Sequence, residues 1–286
     1  MFHLTLQEAE GGNASAQREI GNHYMLGLGV PQDFRQAVHW YTKAAEQGHA
    51  RAQKCLGNMY ANNIGVPQDY GLALHWYRKA AQQCNAKACF NLGLLYQIGH
   101  GVEKDYEEAF HWQLLSAEQG YAPAQFNVGL LYSEGKGVAP SRAKGVEWLC
   151  RAAEQNHAIA QYNMGVACET GDGMPRDTKE AARWYKRAAY NGDYNAQVSL
   201  ASLLVKGSGV PHDSGQAYVW FAVATRQQPL SAESSELFRQ IKSGFAHAQL
   251  MTLNACAESL EQVIEARKPV NPLAKLSVKK AMGEKA

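Results

Sequence analysis

Between Ala50 and Asn85 the small and apolar side chains fall at helical steps. Ala52, Leu56, Gly57 and Tyr60 lie three or four residues apart, and after a break at Gly65-Val66-Pro67 the spacing resumes at Ala73, Trp76, Ala80 and Ala81. Each run places one apolar stripe on one face of a helix, so the segment predicts a helix, a loop and a second helix. The polar positions fit that reading. Asp69 stands at the N-cap of the second helix, as do Asp33, Asp105, Asp177 and Asp213 in equivalent segments, with Gln36, Glu108, Glu180 and Gln216 three residues later. That is the capping-box spacing, and such a cap contributes about 1 kcal/mol. Pro31, Pro67, Pro175 and Pro211 cannot extend the first helix, and Gly48, Gly120 and Gly192 are predicted to close the second.

The whole pattern repeats every 36 residues from Ala14, six times, without an insertion or deletion. The six tryptophans, Trp40, Trp76, Trp112, Trp148, Trp184 and Trp220, keep that step, as do the glycines from Gly21 through Gly57 and Gly93 to Gly165. A fixed period of this size signals a repeat array, whose usual role is to present a long surface to another molecule. Glycine inside a helix costs about 1 kcal/mol relative to alanine, so Gly21 and its equivalents are predicted to let the paired helix approach closely. The tryptophans are predicted to fill the space between layers, each burying on the order of 200 Å².

The run from Leu56 to Ala81, with its L-G-x-x-Y helix, G-x-G-V loop and A-x-x-W-x-x-K-A-A helix, resembles the Sel-one-like repeat family of the tetratricopeptide superfamily. The resemblance covers residues 14–229, in units 14–49, 50–85, 86–121, 122–157, 158–193 and 194–229. It implies an all-α, right-handed αα-superhelical solenoid of six helix-loop-helix repeats. It also implies a non-catalytic adaptor role in protein complexes, signalling or bacteria–host contact. Residues 1–13 map onto a degraded second helix, since Leu4 lies one period before Trp40 and Gly12 before Gly48, and are expected to cap the first layer. At the other end, Glu233 to Ser243 and Ala246 to Arg267 read as amphipathic helices within a carboxy-terminal cap, 230–268. Residues 269–286 have no apolar face and are expected to be disordered.

Composition narrows the function classes. Net charge is +2, with 28 basic against 26 acidic residues, and apolar residues make up 46%. A continuous core is therefore available, and no basic excess over the repeats suggests nucleic acid. No apolar run is long enough to span a membrane, and residues 1–13 lack the basic leader and apolar core of a secretory signal, so a cytoplasmic location is expected. The six cysteines share no spacing and are expected to be free and mostly buried. His39, His75 and His111 recur as His-Trp, but equivalent helices about 8 to 10 Å apart cannot share one metal ion whose ligands each lie within about 2.1 Å. No metal site and no cofactor are expected.

The S-x-x-K matches at Ser141–Lys144 and Ser277–Lys280 have no K-T-G or S-D-N companion, and Ser141 occupies an N-cap slot. A cysteine-rich, secreted subgroup of the family is associated with penicillin binding, but its regular cysteines are missing here. No catalytic residue is assigned. A hydrolase of that type and a stoichiometric inhibitor, such as an immunity protein against a bacterial toxin, remain as alternatives to the adaptor.

The candidate binding face lies beside the core stripe of each first helix. Resemblance to tetratricopeptide-like solenoids implies that this face lines a concave groove. Down the stack it reads Phe90-Asn91, Phe126-Asn127 and Tyr162-Asn163, with Asn58, and the early layers add Arg51, Lys54 and Lys87. Asparagine carries donors and acceptors for the backbone of an extended peptide, and the cations favour carboxylates. The expected partner is thus an extended, acidic protein segment, bound by a monomer in the manner of tetratricopeptide carboxylate clamps. The competing reading packs the three aromatics between adjacent layers and leaves the asparagines facing water.

Overall fold

A computed structural model describes residues 2–267 of the protein, whose regular elements are fifteen α-helices, with no strand among the described residues. They form two compact units, one of residues 2–124 with the loop 136–138, the other of 125–135 with 139–267. In the first unit α1 (Phe2–Glu10) precedes three hairpins: α2 (Ala14–Leu26) with α3 (Phe34–Glu46), α4 (Ala50–Ala61) with α5 (Tyr70–Gln82), and α6 (Ala86–Ile98) with α7 (Tyr106–Glu118). In the second, the body of α8 (Ala122–Glu134) is followed by α9 (Arg142–Glu154), and then come α10 (Ala158–Thr170) with α11 (Thr178–Tyr190) and α12 (Tyr194–Lys206) with α13 (Ser214–Gln227). Each hairpin packs first helix on second, and α3 meets α4, α5 meets α6, and α11 meets α12. The fold class is therefore the all-α solenoid type that the periodicity predicts. Two last helices, α14 (Ala232–Ser243) and α15 (His247–Arg267), pack on α13. The expected carboxy-terminal disorder lies outside the described residues. None of the described helices is long and apolar enough to cross a membrane.

The aspartate caps form as the sequence dictates, but without the reciprocal half of the capping box: the Asp105 and Asp177 N–H groups donate to Tyr96 O and Cys168 O, and Glu108 and Glu180 accept from Trp112 and Arg183 instead. Asp33 Oδ1 accepts the backbone N–H groups of Arg35 and Gln36 at 2.9 and 3.0 Å, and Ser141 Oγ accepts that of Lys144 at 3.4 Å. First helices have caps of their own: Asn13, His49, Asn85, His157 and Asp193, one position of the repeat in which a side chain accepts from the third residue on. Gly48, Gly120 and Gly192 follow the second helices at φ of 86, 84 and 85°, left-handed backbone that favours glycine.

Two side-chain devices hold the hairpins together. The first joins the two helices of one hairpin: a Cβ on Gly57 would lie 2.7 Å from Cδ1 of Tyr77, and one on Gly21 2.6 Å from Cδ1 of Tyr41. The interior glycine thus makes room for a buried tyrosine ring, whose hydroxyl donates to Asn58 Oδ1 at 2.6 Å or Asn22 Oδ1 at 2.7 Å. The second device rests on buried glutamines, at Gln17, Gln53, Gln125, Gln161 and Gln197, of which Gln53, Gln161 and Gln197 join successive hairpins within one unit. Gln53 Nε2 donates to the carbonyl of Ala45 and Gln161 Nε2 to that of Ala153, both at 3.0 Å, and each carbonyl ends the preceding second helix. Their Oε1 atoms accept from Gln83 at 2.9 Å and Asn191 at 2.8 Å, at the end of their own hairpin. In the third hairpin Cys89 interrupts this ladder: its Sγ stands 3.9 Å from the Ala81 carbonyl, and Gln119 turns its amide to Leu115 O. Ser116 compensates in part by donating to Ala86 O at 2.7 Å.

The tryptophans are less uniform than expected. Trp40, Trp184 and Trp220 are buried, whereas Trp76, Trp112 and Trp148 are half-buried. Lys43, Lys79, Arg151 and Arg187 each cover the ring three residues before them, at 4.4 to 5.0 Å from its centre. The cysteines are all free, but only Cys89 and Cys168 are buried, and Cys84 and Cys256 are exposed. Burial pushes the Cys89 and Cys168 thiols up to about 11.

Two outcomes follow from these contacts. Replacing Gln161 by leucine removes one of the donors to the Ala153 carbonyl, which keeps the Asn156 N–H at 3.0 Å, and deprives the Asn191 amide of its acceptor, and is expected to cost about 1–3 kcal/mol in urea unfolding. Gln119→Ala, outside the ladder, is expected to stay within about 0.5 kcal/mol. His49 and His157 accept backbone N–H groups through Nδ1 at 3.3 and 3.2 Å, and burial lowers both below the ordinary 6.5. The folded state thus favours the neutral ring, so this stabilisation is complete above pH 6.5 and is lost as the pH falls below it. Tm should drop between about pH 7.5 and about pH 5.5, and the double substitution His49→Asn, His157→Asn should flatten that slope, because asparagine caps at every pH.

Candidate functional site

In the first unit the candidate face is carried by α4 and α6. Arg51 and Lys87 are exposed, while Lys54, Asn58, Phe90 and Asn91 are half-buried. Asn91 Nδ2 donates at 2.9 Å to Asn58 Oδ1, the same atom that accepts the Tyr77 hydroxyl. These two asparagines therefore bridge successive first helices. Burial raises the Tyr77 phenol far above its ordinary range and keeps it a donor. Phe90 meets the Tyr121 ring edge-on at 5.3 Å, and the Lys87 ammonium lies 5.9 Å from the centre of the same ring. Lys54 Nζ sits 3.4 Å from Cys55 Sγ. Among the described residues neither Arg51 nor Lys54 is in an ion pair.

In the second unit α8 supplies Phe126 and Asn127, and α10 supplies Tyr162 and Asn163, all half-buried. Phe126 stacks on the His157 imidazole at 4.9 Å with 22° between the planes. Tyr162 lies 5.8 Å from Tyr185, whose hydroxyl donates to Glu169 Oε2 at 2.7 Å. Burial is the main cause of the raised Tyr162 phenol, and the Asp193 and Glu169 carboxylates add to it. Each aromatic thus touches a neighbouring ring and keeps part of its surface open. Asn127 and Asn163 differ from Asn91: among the described residues their amides make no hydrogen bond. Asn163 borders a recess of about 200 Å³ walled by Leu130, Val146, Leu149 and Val166, with the Arg142–Asp172 pair at 3.3 Å on its rim.

The ten positions thus form two chemically unlike sets, one of six residues on α4 and α6 and one of four on α8 and α10. The first holds cations and a spent asparagine pair, the second unspent amides beside an apolar recess. Tyr121 and His157, the ring partners of Phe90 and Phe126, escaped the sequence reading. Both occupy the repeat position that caps first helices, and the 36-residue step marks them as equivalent.

The other chemistry-bearing motifs among the described residues take structural roles, and Ser277–Lys280 lies outside those residues. Ser141 Oγ caps α9 while the Lys144 ammonium lies 5.6 Å from the centre of the Tyr132 ring. His39, His75 and His111 each stand edge-on to the adjoining tryptophan at 5.1 to 5.4 Å. Among the described residues no three His, Cys, Asp or Glu side chains converge as metal ligands.

Comparison with known proteins matches this architecture to one family. The Sel1 repeat model matches residues 14–49, 50–83, 86–121, 122–157, 158–193 and 195–228. The chain is similar to c5321, a protective antigen of uropathogenic Escherichia coli strains with an SLR fold, at 33% identity and a TM-score of 0.82 over 99% of this chain. It spans 60% of the length of that protein. A Sel1 repeat protein from Oxalobacter formigenes is similar at 37% identity and a TM-score of 0.70, over 76% of this chain and 89% of that one. The immunity protein Pa5087 from Pseudomonas aeruginosa, at 20% identity and a TM-score of 0.49 over 89% of this chain and 83% of that one, is too distant to carry an argument. Comparison with curated proteins returns no match. With six consecutive matched segments making up most of the chain, the protein belongs to the Sel1 repeat family.

Proposed function

We propose that the protein is a non-catalytic adaptor that binds extended segments of partner proteins on the exposed face of its first helices. The observation that carries this reading is the pair of unspent amides, Asn127 and Asn163, each following a half-buried aromatic, Phe126 or Tyr162, with Asn163 also bordering the recess of about 200 Å³. A half-buried amide without a protein partner is a group that a peptide main chain satisfies with both a donor and an acceptor. The aromatics next to it supply contact area at low cost in side-chain entropy. On α4 and α6 the cations Arg51, Lys54 and Lys87 are placed for carboxylates, so acidic segments are the favoured class. In this reading the chain works as a monomer inside the cell, and the Asn58–Asn91 bridge stiffens the binding face rather than touching the ligand.

The test is a selection of extended peptides from a random library on the intact chain, followed by affinity measurements on variants. Asn127→Ala with Asn163→Ala is expected to weaken the selected peptides by about tenfold or more, at roughly 1 kcal/mol per lost hydrogen bond. Arg51→Ala with Lys54→Ala should remove any preference for Asp and Glu. Unchanged affinities in variants that keep the helical circular dichroism of the parent would overturn the proposal.

A further inference from the structure

A second surface, far richer in charge, lies in the second unit and owes nothing to the first-helix face. On α11 the residues Glu180, Arg183, Trp184, Arg187 and Tyr190 follow at steps of three and four, which brings them to one side of the helix. Arg267, the last residue of α15, reaches the same side, and together with Lys186 they border a cleft of about 520 Å³. That is within the range of ligand-binding clefts, about 300–1,000 Å³. Four cations therefore face one carboxylate. Glu180 is already committed to Arg183 at 2.9 Å. Lys186, Arg187 and Arg267 have no ion pair among the described residues. Three uncompensated positive charges around one concavity repel one another and focus a positive field into it.

The arginines are also held in a receptive posture. The Arg187 guanidinium lies 4.5 Å from the centre of the Trp184 ring, and that of Arg267 lies 5.0 Å from the centre of the Tyr190 ring. Tyr190 is itself braced edge-on by Trp220 at 5.2 Å. Stacking occupies the flat face of a guanidinium; Arg187 Nη2 donates one long hydrogen bond to Ala153 O at 3.5 Å, and the remaining N–H groups of the two arginines are left for carboxylates, which guanidinium edges bind in a two-pronged geometry. We propose that this cleft is a docking site for an acidic segment of a protein partner, with Asp or Glu carboxylates seated on Arg187 and Arg267. A carboxylate suits it better than a phosphate. The cleft runs from Glu180 in the first turn of α11 to Tyr190 at its end, and the first-turn N–H groups of Lys179 and Glu180 are already held by Asp177 Oδ1, so they are not offered to cradle a dianion.

The experiment is a titration of the full chain with a fluorescein-labelled peptide of alternating glutamate and glycine, read by anisotropy. Arg187→Gln with Arg267→Gln is expected to weaken binding about tenfold or more. Lys43→Gln with Lys79→Gln removes the same charge from other tryptophan-stacked cations, and is expected to change affinity by less than about twofold. Asn127→Ala with Asn163→Ala should leave it unchanged, which separates this site from the first-helix face. Equal weakening by the two charge-removing pairs would overturn the proposal, because it would reduce the effect to diffuse attraction. Displacement of the peptide by inorganic phosphate at lower concentration than by unlabelled peptide, at matched ionic strength, would overturn it in favour of a phosphate site.

Discussion

The buried glutamine at the fourth position of five of the six repeats is the interaction on which the array depends. One amide there has two obligations, donating to the end of the preceding hairpin and accepting from the end of its own, as Gln53 does between Ala45 and Gln83. A buried amide that lost either partner would be left with an unmet hydrogen bond. The distance between successive layers, and the register of each hairpin on the next, are therefore fixed by polar geometry as well as by apolar contact. Everything displayed on the first helices inherits that spacing. Phe126 and Tyr162 stand one hairpin apart on α8 and α10, each directly after a ladder glutamine, Gln125 or Gln161.

Much of this was legible in the chain, because the same physical requirement is written six times. A glycine recurring in the middle of a helix at a strict period pointed to closely approaching hairpins, and Gly57 against Tyr77 is that contact, though the tyrosine itself was not singled out. The aspartate caps and the glycines after the second helices were legible for the same reason. The ladder was harder to see. Gln53 is polar, and a reading that sorts residues into apolar inside and polar outside has no place for an amide buried for its hydrogen bonds. The tryptophans were misjudged in the other direction: read as equivalent fillers between layers, they divide into buried Trp40, Trp184 and Trp220 and half-open Trp76, Trp112 and Trp148, a division that the stacked cations do not explain, since Trp40 and Trp184 carry them too.

The candidate face was legible as a set of positions but not as chemistry. Repeat phase placed Asn91, Asn127 and Asn163 in one row and made them look equivalent. They are not, because position 58 is asparagine in the second unit and so offers Asn91 an acceptor, while its counterpart in the third unit is Leu94. Small differences between repeats decide which copies of a recurrent residue stay available to a partner. The cationic cleft was still further from reach. Arg187 belongs to the recurrent tryptophan motif, but Arg267 arrives from a helix outside the repeats, and no one-dimensional pattern relates the two.

Cys89 gives the first unit a character that its sequence regularity conceals. A thiol substitutes there for the amide that elsewhere couples neighbouring layers, and the hydroxyl of Ser116 replaces only one of the two lost links. In a linear array cooperativity is set joint by joint. The joint between the second and third hairpins therefore leans on other links, the Asn58–Asn91 bridge and the Arg78–Tyr96 hydrogen bond at 2.7 Å, so that its cohesion rests on side chains peculiar to those two repeats.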